Sequence, residues 1–338
     1  MEYPVEIPAL PSEGSIDRLV SLLAPLLRIA QPKIYGLDNL PADGSLLAGN
    51  HTIYGFLDLP FMMAEVWKRR RLLIRGLGEH AHYAVPVWRD LLAACGMVRG
   101  TRDNVRVLMR DRQTVLVFPG GAREVNKRRG QQYQLLWRER VGFARLAAEH
   151  GYPIVPFAAV GADDMLDVIV DQNTPIYGQV AGLYQKVMGF PTPPVVRGVG
   201  PTPIPRLERL YFWFGEPIDS ATFGNRFDDT CAARALRDEV KQAILVGIQF
   251  LRDEREQDRT AASCPGYAAG ANSGRGQSCS TTSSGQGASS TKRCAVLRPS
   301  RRPTGPCLRA EYQQVDRPSA ASEFVGRLAV LGVSFDAA

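Results

Sequence analysis

No apolar run in this chain of 338 residues reaches the roughly 18–20 residues needed to cross a bilayer. Met1-Glu2-Tyr3-Pro4 is acidic and is not followed by a basic patch and an apolar stretch, so no secretory leader is expected. The six cysteines form no CxxC pair and no Cys/His cluster, which argues against a zinc centre. Two of them, Cys95 and Cys231, stand well apart and read as isolated thiols of a reducing compartment. No Gly-x-Ser-x-Gly occurs, so an elbow serine nucleophile is not expected either. Most of the chain also lacks excess positive charge, although the net charge is +7. Ten Lys/Arg against four Asp/Glu lie after Asp258, leaving 31 basic and 30 acidic groups before Arg259. A nucleic-acid partner is therefore not expected.

What is present divides sharply near Asp258. Residues 260–307 are dominated by Ser, Gly, Ala, Thr and Arg. Such text cannot bury enough surface to offset a chain entropy of roughly 1–2 kcal/mol per residue, so 259–338 reads as a low-complexity, disordered tail. Ahead of it, Ala232–Gln257 places Leu236, Val240, Ile244, Ile248 and Leu251 at helical spacing. Further upstream, Ser45–Gly49, Leu72–Ile74, Thr114–Phe118, Ile154–Val160 and Leu210–Phe214 read as strands, several buried on both faces. Asn104–Arg112 and Glu139–His150 between them read as helices. This alternation predicts one α/β domain over 36–258, with a largely parallel sheet flanked by helices. Residues 1–35 read as an interfacial segment built on an amphipathic helix, Ile16–Ala30, interrupted at Pro25.

Open parallel sheets form sites where strands end, which directs attention to two places. After Gly49 the chain reads Asn50-His51-Thr52-Ile53-Tyr54-Gly55-Phe56-Leu57-Asp58. Histidine suits proton abstraction near neutral pH, and a carboxylate can fix its tautomer. Alone, such a pair is more often a loop histidine with a helix-capping aspartate. On a straight helix the two would also lie about 10.5 Å apart along the axis, so contact requires a bend, which Gly55 can supply. After Val117 the chain reads Phe118-Pro119-Gly120-Gly121-Ala122-Arg123-Glu124. Its glycines would let a ligand approach the backbone, and Arg123 adds a fork matched to phosphate oxygens. Gly96 to Arg102 puts Arg99 and Arg102 before a helix start, and Pro156 inside a strand signals an edge or bulge.

In order, these blocks are His51, then Gly96-x5-Arg102, then Phe118-Pro-x-Gly-x-Arg123, then Val155-Pro156-Phe157. Across Gly36 to Asp219 the chain resembles the glycerolipid acyltransferase superfamily, and more closely its monoacylglycerol/diacylglycerol-acyltransferase-like branch. The resemblance implies His51 as the catalytic histidine and Asp58 as its partner. It implies substrate binding by Arg102, Phe118, Pro119, Gly120, Gly121, Arg123 and Glu124. Three departures stand out: six residues rather than four separate His51 from Asp58, Gly120 and Ala122 replace a Glu and a Thr, and Arg99-Gly100-Thr101 replaces a more apolar stretch.

The implied reaction is acyl transfer from acyl-CoA, as co-substrate, to a glycerolipid hydroxyl, without metal or cofactor. Backbone N–H groups around Gly120 and Gly121 are the expected oxyanion donors. Retained Arg102 and Arg123 favour a lysophospholipid acceptor, whereas Pro-Gly-Gly favours mono- or diacylglycerol. Hydrolysis of acyl-CoA on the same scaffold, or lipid binding without catalysis, are the competing readings. A lipid substrate implies a peripheral or monotopic place at the cytoplasmic face of a membrane. Ile16–Ala30, and Leu59–Trp67 followed by Lys68-Arg-Arg-Arg71, are the expected contacts with that surface.

Overall fold

The structure, a computed structural model, describes residues 4–188 and 192–263. Its contacts divide the chain after Arg255; of the second unit, only 256–263 are described, as the last turns of the final helix. Most of the expected tail lies outside the described residues.

Nine strands and eight α-helices are found among the described residues. The strands are β1 (Lys33–Tyr35), β2 (Leu46–Gly49), β3 (Ile74–Gly78), β4 (Val98–Arg99), β5 (Thr114–Val117), β6 (Ile154–Val160), β7 (Asp167–Val170), β8 (Val195–Arg197) and β9 (Tyr211–Phe214). The helices are α1 (Glu13–Ala30), α2 (Leu59–Arg70), α3 (Pro86–Ala94), α4 (Arg102–Arg110), α5 (Ala122–Val125), α6 (Gly142–His150), α7 (Pro175–Met188) and α8 (Thr230–Ser263). Seven strands make one sheet in the order β1-β9-β6-β2-β5-β3-β4, and β7 and β8 form a separate antiparallel pair. Every neighbouring pair in the large sheet is parallel except β6–β9.

The strands alternate their side chains between two apolar layers, as period 2 requires. Leu46, Ala48, Val115, Ile154 and Ala158 face α4, α6 and α8. Leu47, Leu116, Val155, Phe157 and Ala159 face Met62 and Val66 of α2. The helical positions expected in α8 are all buried, from Leu236 to Leu251. That helix begins two residues before the expected start and runs to Ser263.

Three local expectations change. The third strand lies at Ile74–Gly78 rather than Leu72–Ile74. Arg75 hides it, because this fully buried side chain sits in the strand and donates to Pro8 O at 2.8 Å. Pro156 marks neither an edge nor a bulge: β6 is an interior strand. The proline falls between the Phe157–Val160 ladder with β9 and the isolated Ile154–Ile218 bridge, where no ladder N–H is needed. Pro25 does not interrupt α1, which continues to Ala30. Cys95 is a free thiol, but Cys231 is disulfide-bonded, so only one of the two expected thiols is found.

β2 lies between β5 and β6, so the loops after Gly49, Val117 and Val160 leave three adjacent parallel strands at one end. Asn50 closes that end. Its buried amide donates from Nδ2 to Ala159 O and accepts from Ala159 N–H through Oδ1, both at 2.9 Å. Asn50→Ala should therefore destabilise the fold by about 2–4 kcal/mol, the cost of leaving two buried backbone groups unpaired. Urea unfolding checks this; a change below about 0.5 kcal/mol would show the bonds to be dispensable.

Candidate functional site

The register that pairs Ala48 with Val117 sets Phe118 level with the start of the next loop. The imidazole of His51 accordingly stacks on Phe118, with ring centroids 3.9 Å apart and planes 20° apart. Its other flank meets Gly55. A Cβ at Gly55 would lie 2.3 Å from His51 Cε1, and φ is +69° there, so this position needs glycine twice over. Tyr54 also takes a left-handed φ of +58°, and its hydroxyl donates to Pro194 O at 2.8 Å. The bend expected at Gly55 is present.

Three buried charged residues grip the backbone of this loop. Glu124 accepts the N–H of His51 at Oε2 and the N–H of Leu136 at Oε1, both at 2.8 Å. Lys127 donates to His51 O at 2.7 Å and to Asp163 Oδ2 at 2.6 Å. Asp163 in turn accepts from Ile53 N–H at 2.8 Å and from Tyr133 N–H at 2.9 Å. Glu124, expected to touch substrate, is fully buried with both oxygens engaged by backbone, so it positions the histidine instead. Lys127 and Asp163, which hold the loop that carries His51, were missed by sequence reasoning. Applying strand-end logic to Val160 as well would have pointed to Asp163.

The glycines after Pro119 also serve the protein rather than an incoming ligand. A Cβ at Gly120 would lie 2.1 Å from Glu124 Cδ, so glycine here lets the buried carboxylate fold back beneath the turn. A Cβ at Gly121 would lie 2.7 Å from Arg140 Nη1, and that guanidinium donates to Pro119 O at 3.0 Å. The Gly121 N–H is spent on Phe118 O at 2.9 Å, which removes it as an oxyanion donor; the Gly120 N–H has no partner among the described residues. Arg123 is half-buried beside this turn.

His51 and Asp58 do not meet. Asp58, buried at the start of α2, accepts from the Thr52 hydroxyl at 2.9 Å. His51 Nδ1 is buried and has no hydrogen-bond partner among the described residues. The Thr52–Gly55 turn, closed by Gly55 N–H to Thr52 O at 3.0 Å, turns the loop so that Thr52 rather than His51 reaches the carboxylate. Arg102 also stands apart, exposed on the first turn of α4. There it lines a cavity of about 140 Å³ with Leu46, Leu77, Val105, Val117 and Phe143.

Burial, then the charges of Lys127 and His82, pushes the His51 pKa down to about 3. The ring is thus neutral at pH 7 and can accept a proton. Burial raises Asp58 to about 6 against its Thr52 bond, and raises Glu124 to about 7 against the His51 N–H and Lys127. For Arg123, burial and then repulsion from Arg138 and Arg140 lower the pKa.

The surface expected to meet a membrane needs one correction. Met62, Ala64, Val66 and Trp67 of α2 belong to the core. The basic run after them is paired: Lys68 and Arg69 with Glu65 at 2.6 and 3.0 Å, Arg70 with Asp38 at 3.2 Å, and Arg71 with Asp17 at 2.6 Å. In α1, by contrast, Leu19, Leu22, Leu26 and Ile29 are exposed. No helix among the described residues is long and apolar enough to cross a membrane.

Residues 31–160 match the acyltransferase family. Phytyl ester synthase 2 of Arabidopsis thaliana is 30% identical over 67% of this chain and 35% of its own length. Phytyl ester synthase 1 of the same plant is 30% identical over 73% of this chain and 40% of its own length. The chain therefore spans little more than a third of these relatives. A 1-acyl-sn-glycerophosphate acyltransferase structure from Thermotoga maritima superposes with a TM-score of 0.42 at 12% identity, over 68% of this chain and 78% of that one.

Gly55→Ala should push the imidazole off Phe118 and cost about 1–2 kcal/mol for the left-handed backbone. Unfolding measures the second effect, and the ring-current shift of the His51 Cε1 proton measures the first. An unchanged shift would contradict this packing.

Proposed function

We propose that this chain is a member of the glycerolipid acyltransferase superfamily and moves a fatty acyl group from acyl-CoA to a lipid hydroxyl, with His51 as general base. The observation that supports this reading is an imidazole placed at the strand end, stacked on Phe118 and held through its own backbone N–H and carbonyl. With Nδ1 buried, Nε2 is the nitrogen left to take the proton. The acceptor oxygen attacks the thioester carbonyl as its proton passes to His51. Charge develops on the carbonyl oxygen, where the Gly120 N–H is the donor at hand; one such donor contributes about 2.7–4 kcal/mol elsewhere. Collapse breaks the C–S bond, and the departing thiolate recovers the proton. Asp58 acts at one remove, by holding Thr52 next to the histidine.

Arg102 and Arg123 favour a lysophospholipid acceptor, because both are exposed or half-exposed cations without a carboxylate partner among the described residues. A neutral acceptor, mono- or diacylglycerol, is the second reading. The likeness to diacylglycerol O-acyltransferase 2B of Umbelopsis ramanniana, 25% identical over 33% of this chain and 33% of its own length, favours it. The exposed apolar stripe of α1 suits peripheral attachment at the cytoplasmic face of a membrane.

Incubation with labelled acyl-CoA, with and without lysophosphatidate, monoacylglycerol or diacylglycerol, tests the proposal. Acceptor-dependent lipid supports it, free fatty acid indicates hydrolysis, and no product indicates binding without catalysis. His51→Ala should lower the rate about 100-fold or more, as loss of a general base does, with the melting temperature retained. Asp58→Asn should cost less. Retention of more than about a tenth of the rate by His51→Ala would exclude the base role.

A further inference from the structure

A surface helix normally turns its large aliphatic side chains to the core. In α7 the order is reversed. Ile176, Val180 and Leu183 recur at positions i, i+4 and i+7, which puts them on one stripe, and they are 81, 60 and 65% exposed. The side toward the protein carries Tyr177 and Tyr184, half-buried, and Ala181, the one buried residue among those of α7 whose side chains are described. Gln179, also exposed, is the polar position within the outer stripe. A contiguous apolar surface of this kind marks a contact site.

The charges around the stripe point to what covers it. No acidic residue occurs from 172 to 207, a span that holds Lys186, Arg197 and Arg206. Arg197 and Arg206 pair with Asp167 at 3.7 and 2.8 Å. Lys186, exposed on the last turn of α7, has no partner among the described residues. Beside the start of the helix, Arg128 donates to Asn173 Oδ1 at 2.8 Å and to Gln172 Oε1 at 3.3 Å, so amides rather than a carboxylate meet its charge. Asp171 is buried and accepts the N–H groups of Arg129 and Asn173 at 2.9 and 2.8 Å. An aliphatic stripe flanked by cations without acids is the pattern of a helix lying in the plane of an anionic lipid surface.

The stripe also adjoins the loop of His51. Residues 192–194 are pinned between the two: Thr192 Oγ1 donates to Ala181 O at 3.3 Å, the Tyr177 hydroxyl donates to Pro193 O, and the Tyr54 hydroxyl donates to Pro194 O at 2.8 Å. Phe56, stacked on Tyr54 with ring centroids 6.4 Å apart, is 62% exposed and carries the apolar surface into that loop.

We propose that α7 lies in the plane of a lipid bilayer, with Ile176, Val180 and Leu183 among the acyl chains and Lys186 at the headgroups, and so sets the loop of His51 against the lipid surface. The choice of lipid as occupant rests on the acyltransferase reading and deepens it.

Val180→Gln/Leu183→Gln removes the stripe without touching a buried group. Leu245→Gln/Val246→Gln, on α8 at 38 and 48% exposed, removes similar aliphatic surface elsewhere and serves as control. Sedimentation with vesicles of phosphatidylcholine, and of equal parts phosphatidylcholine and phosphatidylglycerol, reads the contact without turnover, so its failure is distinguishable from failure of the acyltransferase reading. The α7 double variant should partition about tenfold more weakly onto both vesicles, while the α8 variant partitions as wild type. Gln179→Leu, which completes the stripe, should partition more strongly, a gain that misfolding cannot give. Lys186→Gln should weaken partition onto the mixed vesicles alone, by about fivefold. In turnover, the α7 double variant should keep the wild-type rate on a short-chain acceptor dissolved as monomers and lose rate, in step with binding, on the acceptor in vesicles. Unchanged partition of both the α7 double variant and Gln179→Leu, or an equal loss in the α8 control, would overturn the proposal. A dimer in sedimentation velocity that the α7 double variant dissolves would also overturn it, because a second copy would then cover the stripe.

Discussion

Burying a charge costs several kcal/mol unless a partner and enough hydrogen bonds replace the lost water. The Lys127–Asp163 pair is almost completely buried, with side chains 2% and 1% exposed. Its groups are satisfied largely by the backbone of the loop that carries His51, through His51 O and Ile53 N–H. Glu124 adds a third buried ionisable group, on the His51 N–H. Moving that loop therefore means leaving buried charges unpaired, far costlier than losing a surface contact. The glycines at 55 and 120 follow from the same constraint, since each makes room for a group the clamp has fixed in place.

The clamp also governs charge at the site. Lys127 lies close enough to oppose protonation of the imidazole, in addition to the effect of burial. Because the folded-state pKa of His51 is depressed, the unfolded chain binds more protons as pH falls below the ordinary histidine range. His51 thus contributes stability that is lost on acidification from about 6.5 towards 3. Asp58 and Glu124 act in the opposite sense. Their raised values favour the folded state at low pH, and that contribution fades as pH rises through about 6 and about 7. The site thus combines a neutral imidazole with carboxyl groups that burial makes reluctant to ionise.

Much of this arrangement is legible in the amino-acid sequence. Short continuous apolar runs locate the central strands, and the rule that sites form at strand ends brings out His51 and Phe118, which the β2–β5 register does stack. Arg75 breaks the apolar run of β3 because a buried arginine carries no hydropathy signal. The short β1 and β4, of three and two residues, offer too little pattern to read. The clamp is hidden for a different reason: Lys127 and Asp163 are 36 residues apart, and only the sheet topology brings them together. Glu124 stands out in the sequence but with the wrong partner, since spacing cannot show that a carboxylate turns back under Gly120. Asp58, set further from His51 than the usual dyad spacing, is where the structure departs most from expectation.

The most direct test of the clamp is an NMR titration of the His51 ring in the wild-type protein and in a Lys127→Met/Asp163→Asn double variant, which removes both buried charges together. A neutral imidazole should persist in the wild type to well below pH 6.5, the ordinary histidine value. In the double variant its pKa should rise towards that value, and its stacking shift against Phe118 should broaden as the loop is released. A wild-type His51 that titrates near 6.5, or one whose titration and stacking ignore the double substitution, would contradict the account.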